Sequence, residues 1–238
     1  MIHFILLTGG TGSRMNSDRP KQFLILGGIP VMEHSIRAFC SIDEGLRGGM
    51  VLVSHKDYQK QALAIAQKHK GNLGFLEITE GGSTRHASTR KGIAALKSRV
   101  SAEDIIMIHD GARPMLTSQE IESLFFRLQE DPAAMCATLA APATETYAMA
   151  NSMKEPISEV PDRSRLFAIK TPQAMRGNLI ESFLKSKEDH YTDLISWSLS
   201  QKLASVLVPA SEKNIKLTRP GDLTLMESLL SPDERKGL

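Results

Sequence analysis

Cysteine is almost missing from this chain: Cys40 and Cys136 are its only two. Two thiols without C-x-x-C spacing supply neither a metal site nor a disulfide framework, so both are expected to pack as small buried hydrophobes. Aromatic residues make up 5% of the 238 and are not interleaved with basic clusters, which removes the stacking platforms that single-stranded nucleic acid requires. A large excess of either charge is missing too. Lys and Arg number 29 against 27 Asp and Glu, and a net charge of +2 argues against nucleic acid and anionic membranes as partners. No apolar stretch approaches the roughly 20 residues of a transmembrane helix, and the N-terminus shows no charged region or cleavage site. A cytoplasmic protein is the resulting expectation. Repeats, low-complexity tracts and linkers are also absent, so residues 1–238 are expected to form a single domain.

What is present is a glycine turn after an apolar run. Ile2 to Leu7 is long enough for a buried strand. Thr8-Gly9-Gly10-Thr11-Gly12-Ser13-Arg14 follows, and then Pro20-Lys21-Gln22-Phe23. Glycines let the backbone turn tightly and approach a ligand, and successive N–H groups in such a loop form an anion-binding nest. Arg14 adds a planar fork suited to phosphate oxygens, and Lys21 a mobile point charge. The P-loop spacing G-x-x-x-x-G-K-[ST] does not occur, and the dinucleotide fingerprint would need its third glycine where Met15 stands. A nucleoside triphosphate is the ligand that this layout suits.

Apolar runs alternate with helical stretches through the first two thirds. Strands are expected at Met50–Ser54, Leu73–Thr79, Asp104–His109, Met135–Leu139 and Ala204–Pro209. Helices are expected over Lys56–Lys70, Thr84–Lys97, Ser118–Gln129 with Ser118 as N-cap, Asn178–Lys187, Thr192–Gln201 and from Pro220 onward. This rhythm predicts an α/β fold, a mostly parallel sheet covered by helices with right-handed crossovers. Ligands then sit at the carboxyl ends of the strands, so the loops after Leu7, Thr79 and His109 should line one site. From Pro142 to Ile169 the rhythm breaks, and an excursion of that length is expected to be an interaction arm.

Three further clusters have the chemistry for that site. Gly81-Gly82-Ser83-Thr84-Arg85-His86-Ala87-Ser88 is a second glycine turn entering a helix, suited to a base or ribose. Asp110, in His109-Asp110-Gly111-Ala112-Arg113-Pro114, ends the most buried strand; it is either a turn residue or a ligand for Mg²⁺, which takes one or two carboxylates plus phosphate oxygens. His109 reads as structural. Lys216, in Asn214-Ile215-Lys216-Leu217-Thr218, stands where an ammonium would meet phosphate.

Taken in order, these pieces resemble the cytidylyltransferases that act on methylerythritol phosphate or ribitol phosphate. The resemblance extends from Leu7 to about Leu230 and includes Asp162-Arg163, Thr171-Pro172-Gln173 and Thr192-Asp193. It implies a Rossmann-like nucleotidyltransferase fold with residues 142–169 as a protruding dimerisation arm. It implies transfer of CMP from CTP to 2-C-methyl-D-erythritol 4-phosphate with release of pyrophosphate, as in isoprenoid precursor synthesis, aided by Mg²⁺ or another divalent cation on Asp110. Arg14, Lys21 and Lys216 are then catalytic. Thr8, Gly9, Gly10, Thr11, Gly12, Ser13, Gly81, Gly82 and Ser88 bind the nucleotide, and Asp110, Arg113, Thr146, Arg163 and Thr171 the acceptor. The arm is swapped between the subunits of a homodimer, completing each site in trans. The chain departs from the family pattern at Thr84, in Thr144-Glu145-Thr146-Tyr147-Ala148, and in Leu194-Ile195-Ser196-Trp197 after Thr192-Asp193. Ribitol 5-phosphate is therefore kept as an alternative acceptor, for cell-surface polymers, and an inactive nucleotide-binding regulator as an alternative of another class. An NAD-dependent oxidoreductase would need Glu33 at a strand end, but Glu33 lies on what reads as a helix.

Overall fold

Strands buried on both faces are near-continuously apolar, and the first strand of this protein is so apart from His3 and Thr8. In β1 (Ile2–Thr8), Phe4 and Leu6 point to one face of the sheet and Ile5 to the other. The structure, a computed structural model, describes residues 1–10, 19–186 and 191–231. After β1 come a two-residue antiparallel pair, β2 (Ile25–Leu26) and β3 (Ile29–Pro30), and then β4 (Arg47–Ser54), β5 (Leu76–Glu80), β6 (Ile105–Asp110), β7 (Cys136–Pro142), β8 (Phe167–Arg176) and β9 (Ser205–Pro209). The helices are α1 (Val31–Cys40), α2 (Gln59–Gln67), α3 (Arg85–Leu96), α4 (Ser118–Glu130), α5 (Ile180–Lys185), α6 (Leu194–Ser200) and α7 (Pro220–Leu229).

The main sheet has seven strands in the order β5-β4-β1-β6-β8-β7-β9. Strands β5, β4, β1 and β6 pair in parallel, as do β7 and β9, while β8 runs antiparallel to both of its neighbours. The chain leaves β1 for β4 on one side and reaches β6 on the other, so a topological switch point lies beside β1. One core, built on Phe4, Leu6, Leu52 and Met107, is covered by α1, α2 and α4; the opposite one, built on Ile5, Val53 and Ile108, is covered by α3, α5 and α6. A third cluster joins Leu26, Val31 and Ala112 to Leu217, Met226 and Leu230, which seats α7 beneath the last loop.

Helix starts follow local capping chemistry. Thr117, one residue earlier than expected, caps α4 in a box with Glu120: the hydroxyl accepts from the Glu120 N–H at 3.2 Å, and Glu120 Oε2 accepts from the Thr117 N–H at 3.1 Å. Thr84 caps α3 by accepting from the Ala87 N–H. Pro220 opens α7 at a position where its missing N–H costs nothing. Among the described residues, no helix is long and apolar enough to cross a membrane. Cys136 is buried, with burial pushing its thiol up to about 12, and Cys40 is half-buried; neither takes part in the cleft.

The largest difference from the sequence reading is β8. No strand is expected over Phe167–Arg176, and Pro172 within it cannot donate to a ladder. The register shows how it is tolerated. On β7, Thr138 pairs with Gln173 and Ala140 with Ile169, so one residue of β7 faces three of β8, and Pro172 sits inside that bulge. Pairing with β6 covers only Gln173 to Arg176. Helix α5 ends at Lys185, and the expected end at Lys187 lies outside the described residues.

Candidate active site

A cleft of about 610 Å³ opens at the carboxyl ends of the parallel strands. Its walls are Gly9 and Gly10 after β1, His55 after β4, Glu80 to Arg85 and Ser88 after β5, and Asp110 and Ala112 at and after β6. Lys21 and Lys216 close it from outside the sheet. The loops predicted to share one site do so.

The glycine turn is held from behind by Gln22, which is 2% exposed. Its Nε2 donates to the Thr8 carbonyl at 2.6 Å and to the Gly10 carbonyl at 3.2 Å, fixing the backbone where the turn begins. A Cβ at Gly10 would meet none of the described residues within 4 Å, and the position lines the cleft. Gly82 differs: a Cβ there would come within 2.5 Å of the Ala87 Cβ, and only glycine lets this loop lie against α3. Ser88 Oγ accepts from the Gly82 N–H at 3.0 Å and Lys91 Nζ donates to the Gly81 carbonyl, which fixes the second glycine loop.

The electrostatic centre is Asp110. Oδ1 accepts from Arg85 Nε at 2.9 Å and Oδ2 from Lys216 Nζ at 2.7 Å. Burial is the largest influence on this carboxyl and opposes ionisation, but Arg85, Lys216 and Arg113 outweigh it and hold the group well below the usual carboxylate range. Lys21 Nζ donates to the Leu217 carbonyl at 2.7 Å. The Lys21 ammonium is thereby tied to the residue after Lys216, and both lysines line the cleft with the glycine turns.

Behind Asp110 is a hydrogen-bond chain. The Asp110 N–H donates to Thr171 Oγ1 at 3.2 Å, and Thr171 Oγ1 lies 3.0 Å from His109 Nδ1. His109 Nε2 lies 3.2 Å from the Arg113 carbonyl, which can only accept, so Nε2 carries the proton and Nδ1 accepts from the threonine hydroxyl. Burial lowers the His109 pKa to about 3, leaving the ring neutral and structural, as expected from sequence.

Several predicted site residues are placed otherwise than expected. The Thr8 hydroxyl donates to the Val53 carbonyl inside the sheet and does not face a ligand. Thr171 is 5% exposed, with its hydroxyl proton committed to His109. Arg113 does not line the cleft: its Nη1 donates to the Asn214 carbonyl at 3.1 Å, behind Lys216. Thr146 and Arg163 are exposed on the 142–169 arm, with Arg163 Nη1 on the Thr144 carbonyl, and neither reaches the cleft of its own chain. Thr11, Gly12, Ser13 and Arg14 lie outside the described residues.

Asp110 does not fit a metal site preformed on the protein. Each oxygen already faces a cation, and among the described residues no three His, Cys, Asp or Glu side chains are grouped to hold an ion. Arg85, quoted in the second glycine turn but given no role from sequence, also donates from Nη1 to the Thr192 carbonyl at 3.4 Å, so one guanidinium joins the second glycine loop, Asp110 and the start of α6. Its position in Gly81–Ser88 was visible, but its partner 25 residues away was not. Glu33 lies in the first turn of α1, buried and paired with His69 and Lys68.

This arrangement of glycine turns and cations has a match in sequence. Residues 2–232 match the 2-C-methyl-D-erythritol 4-phosphate cytidylyltransferase (IspD) family. The chain belongs to that family. The family's enzyme from Leptospira borgpetersenii is 36% identical over 227 residues, covering 95% of this chain and 92% of the relative. That of Thermosipho africanus is 35% identical over 230 residues, covering 95% and 96%. The crystal structure of the Francisella tularensis enzyme superposes with a TM-score of 0.78 over 96% of this chain and 99% of that one, and at 22% identity it supports the fold. The nucleotidyltransferase architecture expected from the sequence is therefore the one observed, in an enzyme family of cytidylyltransferases.

Proposed function

We propose that this protein transfers a cytidylyl group from CTP to 2-C-methyl-D-erythritol 4-phosphate, releasing pyrophosphate. Family membership and the named activity of its relatives support that acceptor. The observation that carries the chemistry is the pair of lysines, Lys21 tied to the residue after Lys216, that line the cleft with two glycine turns.

The acceptor phosphate, with a second pKa near about 6, is largely a dianion at neutral pH. It is already a nucleophile and requires no general base. One of its oxygens attacks the α-phosphorus of CTP, a new P–O bond forms, and the bond to the β-phosphate oxygen breaks as pyrophosphate leaves. The difficulty is the approach of two anions and the charge gathering on the leaving group, so catalysis rests on positioning and electrostatic stabilisation. In this reading Lys21, with Arg14, neutralises the triphosphate and Lys216 the reacting centre. The backbone at Gly9, Gly10, Gly81 and Gly82, with Ser88, holds the nucleotide. Asp110 orients Lys216 and Arg85, and any Mg²⁺ arrives as the counter-ion of the CTP phosphates.

The arm supports a homodimer. Met149, Met153, Ile157 and Val160 are more than half exposed, and Tyr147, Phe167 and Ile169 nearly so, an apolar surface that calls for a cover. A second copy supplies that cover and brings its Thr146 and Arg163 to a cleft that lacks them. Sedimentation is expected to show a single species of about twice the 26.2 kDa chain mass; a monomer at micromolar concentration defeats the dimer. The activity is tested by pyrophosphate release with Mg²⁺ and CTP, comparing methylerythritol phosphate with ribitol 5-phosphate. Release with the first alone is expected. Release only with the second assigns the protein to CDP-ribitol synthesis, and release with neither, alongside tight CTP binding, makes it a nucleotide-binding regulator.

A further inference from the structure

Lys216 stands on a stretch, 210–219, that has no regular secondary structure, yet Asn214 and Leu217 within it are fully buried. A buried loop must find a partner for each polar backbone group. Most of the partners here are side chains from elsewhere in the fold, those of Glu120, Lys170, Arg113 and Lys21. Glu120, in the first turn of α4 and 7% exposed, divides its carboxylate: Oε2 closes the capping box with Thr117, while Oε1 accepts from the Ser211 N–H at 2.9 Å and from Asn214 Nδ2 at 3.5 Å. Lys170 of β8 donates to the Ser211 carbonyl at 2.8 Å. Asn214 Nδ2 also donates to the Thr171 carbonyl, and Arg113 donates to the Asn214 carbonyl. The far end is fixed by the Leu217 N–H on the Ala112 carbonyl at 2.8 Å and by Lys21 on the Leu217 carbonyl.

Glu120 receives both the Ser211 N–H, near the start of the loop, and the Asn214 amide two residues before Lys216, while Asp222 accepts from the Thr218 and Arg219 N–H groups at the far end. We propose that Glu120 is a positioning residue: it anchors the base of the Lys216 loop, and its effect on the reaction passes through Lys216. This rests on the reading of Lys216 as a cation at the reacting phosphates. Glu120 touches no substrate and lies outside the cleft. Its capping role is separable, because Thr117→Ala removes the hydroxyl that accepts from α4 and leaves the Ser211 and Asn214 bonds in place.

The test is a cycle of wild type, Glu120→Ala, Lys216→Ala and the double variant, read as kcat and KM for pyrophosphate release. Glu120→Ala is expected to lower kcat at least about tenfold with little change in KM for CTP, since small misplacements of a catalytic group are costly. In the Lys216→Ala background the same change is expected to be nearly silent, as for residues that act as one unit. Glu120→Gln keeps an acceptor for the Ser211 N–H and is expected to restore most of the rate; Thr117→Ala is expected to lose stability and keep kcat. Equal losses in both backgrounds, or a Thr117→Ala loss that matches Glu120→Ala, would overturn the proposal. Reductive methylation of Lys216, followed by mass spectrometry, gives a second readout independent of turnover. A faster rate in Glu120→Ala than in wild type or Glu120→Gln is expected, and unchanged rates sink the proposal. If wild type releases no pyrophosphate while methylation responds, the enzymatic reading has failed and the positioning has not.

Discussion

Replacing Lys21 with alanine is expected to lower turnover by at least about 100-fold, the usual cost of one preorganised donor aimed at transition-state charge. Lys21 follows Pro20 on a 3-10 turn, and its neighbour Gln22 fixes the backbone where the first glycine turn begins. The ammonium therefore sits at a fixed place relative to the start of that turn. Removing it also frees the Leu217 carbonyl, so the Lys216 loop loses one of its ties. Steady-state pyrophosphate release, with folding checked by circular dichroism, measures the effect. Near-normal turnover in a folded Lys21→Ala variant would refute the assignment.

Asp110→Asn is expected to damage both activity and stability. The carboxylate separates two cations, and its loss leaves Arg85 and Lys216 facing each other across a neutral amide. Breaking a buried ion pair costs roughly 3–5 kcal/mol, and the lower end applies here because the Lys216 side chain is 37% exposed. About 3 kcal/mol in a chain of this length corresponds to a fall in Tm of roughly 6–12 °C. The pH dependence follows from the depressed folded pKa. The stabilisation is complete above the unfolded value of about 3.9 and is lost only as pH falls through the folded value, which lies well below it. The Tm gap between wild type and Asp110→Asn is therefore expected to be constant from neutral pH to about 4 and to narrow only in stronger acid. A gap already closing at pH 6 would mean that the Asp110 ion pairs are not what the substitution removes.

Much of this architecture was legible because parallel strands buried on both faces leave continuous apolar runs, as in Ile105 to Ile108. Glycines placed just after such runs marked the ends where ligands sit, so the cleft was located before its shape was known. Pro172 concealed β8: a bulge that removes the need for its N–H cannot be seen without the register of the neighbouring strand. Thr8, Thr171 and Arg113 show what spacing leaves out: sequence does not say which polar atom a neighbour will consume. Val53, His109 and Asn214 consume them. Arg85, Asp110 and Lys216 form one cluster from three distant segments, and no local spacing encodes that meeting.

The place where the arm joins the sheet has a consequence for how this protein can diversify. Pro142 and Phe167, the two feet of the arm, are paired neighbours on β7 and β8, and Ala141 and Ala168 pair just inside them. The arm is thus the tip of a hairpin rather than a link between separate parts. Residues can be gained, lost or exchanged beyond those feet at a small cost in loop entropy, without shifting the register that carries Thr171 and Gln173. What the arm contacts can drift in such a scaffold while the cleft stays put.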